Sequence, residues 1–266
     1  MRQFDNAFFL PQQSELDRAF DYPYEAPDGG FVFSHGGVVA LDDPSLLAGR
    51  TAVLSVGSNR APVQLRRKFG DDAVVPVTPA ILHNCDITHA AMLGYYGAVP
   101  ATAFPSHGCD VTLNVAWLDA DQLLQMHRTE ALGVAYDYVA FDQGAVTHLP
   151  VPEAGGMIVP SEQPIFGYNA RSGVLDVGHE APAGLSRIPA TNRNFQAMTQ
   201  HQAAQFVREL TGHDDSRSMP DFIADIQQDR GARDAILAIL EQHALFAETP
   251  PWQVLPITLD DIEAYL

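Results

Sequence analysis

The chain has 266 residues, of which 46% are hydrophobic and 18% charged, a balance typical of a globular protein that can bury a full core. Its formal net charge is −18, and this excess of acid argues against nucleic acid and anionic membranes as partners. Two cysteines, Cys85 and Cys109, do not make a disulfide framework, and no apolar run is long enough to span a membrane. The first residues lack a signal-peptide pattern, so we expect a cytoplasmic protein with free thiols.

Residues 1–50 are interpreted as an N-terminal extension. Residues 14–20 suit a short helical turn, and residues 22–30 are rich in turn-forming residues. Two strand-like runs, 31–33 and 38–41, flank a Ser-His-Gly-Gly segment, which predicts a β-hairpin. An Asp-Asp-Pro-Ser segment then marks the boundary with the next part of the chain.

The most informative segment is a junction between a predicted strand and a predicted helix. Residues 53–56 are short, apolar and β-branched, which predicts a buried strand, and Pro62 suits the first turn of a helix. The turn of Gly57, Ser58 and Asn59 would aim backbone N–H groups at one point and create a site for an anion. Four cationic side chains follow it: Arg60, Arg66, Arg67 and Lys68. A plain strand-to-helix connection is the alternative, because the turn lacks the phosphate-loop and dinucleotide-binding motifs.

The middle of the chain, residues 51–190, predicts mainly strands and turns. The expected strands lie at 73–77, 87–93, 101–104, 111–117 and 136–141. One helix, at 119–130, interrupts them and begins with acidic residues, which suit the positive end of a helix dipole. This part of the chain is therefore expected to form a β-rich domain.

The last part, residues 191–266, changes character. Helical periodicity and good helix formers cover residues 196–210 and 219–247, with Gly212 and Gly231 as expected breaks. The predicted fold class is accordingly α+β, with a helical C-terminal extension.

Glu130 is the candidate general acid/base. It ends the predicted helix at 119–130, where the helix dipole disfavours a negative charge. A solvated surface glutamate is the alternative. The apolar residues that follow it, however, would desolvate a carboxylate at this position and suit it to proton transfer.

Taken in chain order, these features resemble the γ-glutamylcyclotransferase-like family. The Tyr-Gly-Ser-Asn-Leu turn of that family has its counterpart in Val56, Gly57, Ser58, Asn59 and Arg60. The family's catalytic glutamate, which follows a short helix, corresponds to Glu130, and the tyrosine that opens its next strand corresponds to Tyr136. The similarity covers residues 51–145.

The resemblance implies a small mixed or antiparallel β-barrel with flanking helices in residues 51–190. It implies that Glu130 is the catalytic acid/base and that residues 56–60 and Tyr136 bind the substrate. The implied reaction cyclises a γ-glutamyl amine or peptide to 5-oxoproline and releases the amine, without a metal or cofactor. The implied partner is a small molecule that bears a γ-glutamyl or carboxylate group, and assembly into a homo-oligomer is left open.

Three positions depart from the family pattern. Val56 replaces the first tyrosine of the turn motif, and Arg60 replaces its leucine. Ala131 replaces the small residue, commonly glycine, that follows the catalytic glutamate. Because the missing tyrosine ring would shape the pocket, we expect the substrate to differ, while the retained Glu130 keeps the chemistry.

Two other functions remain as alternatives. A non-catalytic relative would bind a small carboxylate in the same pocket or serve in assembly, and a solvated Glu130 would favour it. A metal-dependent hydrolase would draw its ligands from His83, Cys85, His89, His107 and Cys109. Their spacing is not that of structural zinc sites, so we expect no metal. Four aromatic residues are candidates for a pocket but more typical of a core: Tyr95, Tyr96, Phe104 and Trp117.

Overall fold

The structure, a computed structural model, describes residues 3–157, 159, 163–213 and 218–263. Its helices are α1 (Asn6–Phe9), α2 (Glu15–Phe20), α3 (Pro62–Phe69), α4 (Ala120–Thr129), α5 (Gln200–Leu210), α6 (Met219–Gln228), α7 (Arg230–Glu241) and α8 (Leu259–Glu263). Its strands are β1 (Phe31–Ser34), β2 (Gly37–Ala40), β3 (Thr51–Ser55), β4 (Val74–His89), β5 (Ala101–Leu118), β6 (Tyr136–Phe141), β7 (Val146–His148), β8 (Ile165–Ala170), β9 (Val174–Leu175), β10 (Gly184–Leu185), β11 (Ala190–Thr191), β12 (Ala197–Met198), β13 (Ala244–Leu245) and β14 (Trp252–Val254). Within the described part of the chain, no helix is long and apolar enough to cross a membrane.

Two long antiparallel strands, β4 and β5, organise the sheet. Their ladder runs from Val77 opposite Ala116 to His89 opposite Ala101, with one irregularity in the register. The sequence predicted four separate strands in this region, and this prediction was wrong. The residues between the predicted strands 101–104 and 111–117 lie inside β5, because pairing with β4 continues on both sides of the irregularity.

The strand order explains why the expected barrel is not confirmed. Along the main path the order is β12-β10-β4-β5-β3-β8-β6-β14, and β1, β2, β7 and β11 pair off this path. Strand β14, from the C-terminal part, covers the edge of β6, and β12 covers the opposite edge through β10. Among the described residues these end strands do not pair with each other, so the sheet stays open. The α+β class is observed, with a large mixed sheet.

The N-terminal segment contributes to the principal core. Strands β1 and β2 form the predicted hairpin, and its turn residues His35 and Gly36 have φ values of 48° and 66°. Strand β1 also pairs with β4, while Tyr22 and Phe31 are buried in the core beneath the sheet. The N-terminal segment is therefore part of the main fold.

The predicted helical character of the C-terminal part is confirmed in α5, α6 and α7. The break between α6 and α7 falls at Asp229 rather than at Gly231, which lies inside α7. The Asp229 carboxylate caps α7 by accepting from the N–H groups of Gly231 and Ala232 at 2.8 and 3.1 Å. These three helices and α2 share a second hydrophobic cluster.

Helix α6 supports the loop between β4 and β5. The Gln227 side-chain amide donates to the Tyr96 carbonyl at 2.9 Å. A Cβ atom at Gly97 would lie 2.8 Å from Ile223 Cγ2, so the helix packs directly on the loop backbone. This loop carries Tyr95 and Tyr96, which line a cavity.

A buried ion pair ties the segment that follows β11 to β4. Arg193 Nε donates to Asp86 Oδ2 at 2.8 Å, and Arg193 Nη2 donates to Asp86 Oδ1 at 2.9 Å. The same Nη2 reaches the Ile188 carbonyl at 2.9 Å. Asp86 is fully buried, and burial raises the pKa of its carboxyl despite the opposing guanidinium. Removal of either partner would therefore leave an unpaired charge in the interior of the protein.

Arg193→Met is expected to lower the free energy of unfolding by about 3–5 kcal/mol, because it leaves Asp86 buried without its cation. Urea titration followed by tryptophan fluorescence measures the loss. The matched control is the double variant Asp86→Asn, Arg193→Met, which should recover most of the stability because neither charge remains. Equal stability of the wild type and Arg193→Met would contradict this role of the pair.

Candidate active site

The junction singled out in the sequence connects β3 to α3, as predicted. Strand β3 lies between β5 and β8, a 3-10 turn covers Ser58–Arg60, and Pro62 opens α3. Proline is favoured there because the first N–H groups of a helix have no partner within the helix. The turn is thus anchored on one side by the sheet and on the other by a helix.

Gly57 allows Tyr22 of the N-terminal segment to lie directly on this turn. A Cβ atom at Gly57 would be 2.3 Å from the Tyr22 hydroxyl and 3.2 Å from Ala101 Cβ. The φ of Gly57 is −139°, so we attribute the glycine to close approach rather than to a left-handed backbone. The Tyr22 hydroxyl accepts from the Ala101 N–H at 2.8 Å. A tyrosine ring therefore lies beside the turn although Val56 supplies none.

The C-terminal end of α4 places Glu130 at the same site. The Leu132 N–H donates to the His127 carbonyl and the Ala131 N–H to the Arg128 carbonyl, both at 3.1 Å. This pair of hydrogen bonds is the Schellman pattern, which ends a helix with a left-handed residue. Ala131 is that residue, with a φ of 47°. Position 131 therefore requires a left-handed backbone conformation.

Two donors from the junction bind one carboxylate oxygen of Glu130. Asn59 Nδ2 donates to Oε1 at 2.9 Å, and Lys68 Nζ forms an ion pair with the same atom. The side chain of Glu130 is 12% exposed and that of Lys68 is 4% exposed. Glu130 therefore faces the turn and is not the solvated surface residue of the alternative interpretation.

Lys68 is a site residue to which the sequence pattern assigned only a general positive charge. It lies in the last turn of α3, and its ammonium also donates to Thr129 Oγ1 at 2.9 Å and to Met126 Sδ at 3.2 Å. The signal that could have found it is compositional, because it is the only lysine beside fourteen arginines. That single exception occupies a buried position in the site.

A cavity of about 320 Å³ connects the turn with Glu130. Five tyrosines line it: the exposed Tyr95 and four with buried hydroxyls, Tyr22, Tyr96, Tyr136 and Tyr168. Burial raises the pKa of each of these four hydroxyls and the Glu130 carboxylate adds to the rise, so all four are neutral donors at pH 7. The Tyr168 hydroxyl shares a 2.8 Å hydrogen bond with His127 Nδ1. Burial lowers the pKa of His127 to about 4, so this ring is neutral too.

Two arginines, Arg18 and Arg67, line the cavity although the protein is strongly acidic, and Arg18 is also paired with Glu15 at 2.9 Å. The Arg18 guanidinium lies 5.6 and 5.4 Å from the ring centres of Tyr95 and Tyr96, and it donates to the Tyr95 hydroxyl at 3.0 Å. The Arg67 guanidinium lies 4.8 Å from the ring centre of Tyr24. This combination of cations and rings favours an anionic ligand.

The structure brings all the predicted site residues together except one. The cavity is lined by Val56, Gly57, Ser58, Asn59, Glu130 and Tyr136. Arg60 does not line it, and its nearest charges are Glu25 and Asp28. Burial lowers the pKa of Arg60, against the effect of these carboxylates. We therefore assign Arg60 to the packing of the N-terminal segment on the turn.

The other sequence candidates are divided between the cavity and the core. Tyr95 and Tyr96 line the cavity, whereas Trp117 is buried in the core, where its Nε1 donates to Thr78 Oγ1 at 2.9 Å. Phe104 packs edge-on against another phenylalanine ring, outside the cavity. Of the residues considered as metal ligands, Cys85, His89 and Cys109 are buried, and the described part of the chain contains no group of three or more His, Cys, Asp or Glu that could hold a metal ion.

We compared the chain with models of protein families, with curated proteins and with solved structures. None of these three comparisons finds a match. The resemblance to γ-glutamylcyclotransferases therefore rests on the turn, on Glu130 and on Tyr136.

Gly57→Ala is expected to destabilise the protein, because the added methyl group would lie 2.3 Å from the Tyr22 hydroxyl. In a Tyr22→Phe background the same substitution should cost less, since the nearest remaining ring atom, Cζ, is 3.4 Å away. Urea unfolding of the four proteins measures this coupling, which we expect to be about 1–3 kcal/mol. Additive losses would show that the hydroxyl does not restrict residue 57.

Ala131→Gly is expected to raise the free energy of unfolding by up to about 1 kcal/mol. Glycine relieves the left-handed strain of alanine, and its greater freedom in the unfolded chain offsets part of the gain. Ala235→Gly in the middle of α7 is the matched control and should lose about 1 kcal/mol. Urea titration compares the two variants, and similar losses at both positions would be the contrary result.

Proposed function

We propose that the protein is a cofactor-independent γ-glutamylcyclotransferase-like enzyme that converts a γ-glutamyl amine or peptide to 5-oxoproline and a free amine. The hydrogen bond between Glu130 and Asn59 supports this most directly, because it sets one carboxylate beside the strand-turn-helix junction inside a cavity. The proposal extends to the fold, in that residues 51–190 would carry a sheet of the γ-glutamylcyclotransferase type.

In this proposal the cavity holds the substrate in a folded conformer. The α-amine of the substrate must lie against its own γ-carbonyl carbon, and holding that geometry supplies a large part of the rate enhancement. The cavity volume of about 320 Å³ lies within the range of small-molecule sites. Backbone N–H groups of the turn would bind an anionic group of the substrate, and Arg18 and Arg67 in the cavity wall would attract it.

Glu130 would carry the protons. Its carboxylate takes a proton from the α-ammonium of the substrate, and the freed nitrogen pair attacks the γ-carbonyl carbon while the C=O π pair moves to oxygen. Neutral Tyr22 and Tyr136 are suited to donate to this oxyanion. When the carbonyl forms again, the carbon–nitrogen bond to the leaving group breaks, and Glu130 returns its proton to the departing nitrogen. The second proton of the ring nitrogen leaves through solvent and completes the ammonium of the product.

Binding of a small carboxylate without turnover is the second candidate function. The ion pair between Glu130 and Lys68 favours it, because a paired carboxylate in a cavity wall can serve structure alone. The two arginines of the cavity suit either function. Incubation with a panel of γ-glutamyl amino acids and γ-glutamyl amines separates the two, since an enzyme releases 5-oxoproline whereas a binding protein returns the compound unchanged.

Glu130→Gln is expected to lower turnover by about 10²- to 10⁴-fold, the usual cost of losing a positioned acid/base. The protein should fold but be less stable, because the amide oxygen can still accept from Asn59 while the buried Lys68 ammonium loses its counter-charge. Chromatographic assay of 5-oxoproline measures the change, with circular dichroism and thermal melting as checks on folding.

The matched control for this prediction is Glu241→Gln, at an exposed position on α7 outside the cavity. It should keep wild-type turnover. Undiminished turnover in Glu130→Gln, or no release of 5-oxoproline by the wild type from any compound of the panel, would contradict the proposed function.

A further inference from the structure

The two oxygens of the Glu130 carboxylate have different surroundings. Oε1 accepts from both Asn59 and Lys68. Oε2 has no hydrogen-bond donor among the described residues, and Glu130 lines the cavity. One oxygen is thus fixed to the protein, and the other is available to a ligand.

The ammonium of Lys68 is fixed as firmly as the oxygen that it binds. Its three N–H donors match three acceptors: Glu130 Oε1, Thr129 Oγ1 and Met126 Sδ. A compact ammonium can point at three converging acceptors, whereas the planar fork of an arginine cannot. This requirement gives a structural reason for lysine at the one position where an arginine-rich chain uses it.

We propose that Lys68 is the positioning residue of the active site, which holds Glu130 as an unprotonated base with Oε2 as its single working oxygen. The inference rests on the proposed function. Oε2 accepts the proton of the substrate ammonium and delivers it to the leaving nitrogen, so the transferred proton does not pass through Lys68. The charge of Lys68 acts only through Glu130.

In the described part of the chain, Lys68 is the charged side chain that contacts Glu130. Asn59 comes from the turn and is neutral. The hydroxyls of Tyr22, Tyr96, Tyr136 and Tyr168 come from the N-terminal segment, the β4–β5 loop, β6 and β8, and all are neutral at pH 7. His127 on α4 is neutral as well. Arg18 and Arg67 also line the cavity and pack on tyrosine rings, and Arg18 is paired with Glu15.

Lys68→Met tests the inference by removing the charge while keeping an unbranched side chain. We expect kcat to fall by about 10²-fold, because a small displacement of a catalytic group has an effect of this size. KM should change little, since Lys68 does not bind the substrate. The acid limb of the pH–rate profile should move to higher pH, because a carboxylate without its cation binds a proton more readily. Arg66→Met, on the same helix but outside the cavity, is the matched control and should behave as wild type.

Chemical rescue separates positioning from a general role in folding. Lys68→Cys treated with 2-bromoethylamine regains an ammonium at nearly the original distance, and it should recover most of the lost kcat and the original acid limb. Cys85 and Cys109 are buried, and the treated wild type controls for their alkylation. If circular dichroism shows that Lys68→Met is unfolded, Lys68→Gln replaces it with the same expected shift of the acid limb.

The outcomes distinguish this inference from the function on which it rests. Wild-type kcat in a folded Lys68→Met or Lys68→Gln protein, or a loss with an unmoved acid limb and no rescue by aminoethylation, would overturn the role of Lys68 and leave the cyclotransferase proposal standing. No release of 5-oxoproline by the wild type would refute the proposed function and this inference with it.

Discussion

The candidate site depends on one constraint: two donors from the β3–α3 junction must meet at Oε1 of Glu130. Asn59 belongs to the turn and Lys68 to the last turn of α3, so both reach this oxygen only if the helix leaves the turn in its observed direction. The position of the Glu130 carboxylate in turn depends on the Schellman motif that ends α4. A negative charge at the C-terminal end of a helix is unfavourable, and the neighbouring ammonium offsets this cost.

The two extensions build the site together with the central sheet. The N-terminal segment places Tyr22 on the Gly57 backbone and Arg18 in the cavity wall. The C-terminal part supports the neighbouring loop, because α6 packs on the backbone of the segment that carries Tyr95 and Tyr96. Three parts of the chain form the pocket, so ligand binding requires that all three pack together correctly. Tyr22 thereby places a tyrosine ring beside the turn at Gly57.

The local features of the site could be predicted from the sequence, whereas its long-range contacts could not. A strand, a glycine turn and Pro62 are adjacent in the chain, so their pattern predicts the junction. The resemblance in chain order predicted Glu130. Tyr22 gave no such signal and Lys68 only a compositional one, because each meets its partner, Ala101 or Glu130, only through tertiary packing. The prediction of four short strands in place of β4 and β5 failed for a related reason. The two strands pair with each other on both sides of an irregularity, and this long-range pairing overrides the local turn-forming residues.

The charge distribution bears on the class of ligand that we propose for the cavity. The net charge is −18, yet two arginines and the single lysine line one cavity. Surface repulsion acts over a screening length of about 8 Å at physiological ionic strength, so a polyanion meets it along its whole length. A small molecule with one or two carboxylates can enter the cavity and exchange that repulsion for close contact with Arg18 and Arg67. Both candidate functions therefore share a ligand class, and they differ in whether Glu130 Oε2 meets a nitrogen whose proton it can transfer.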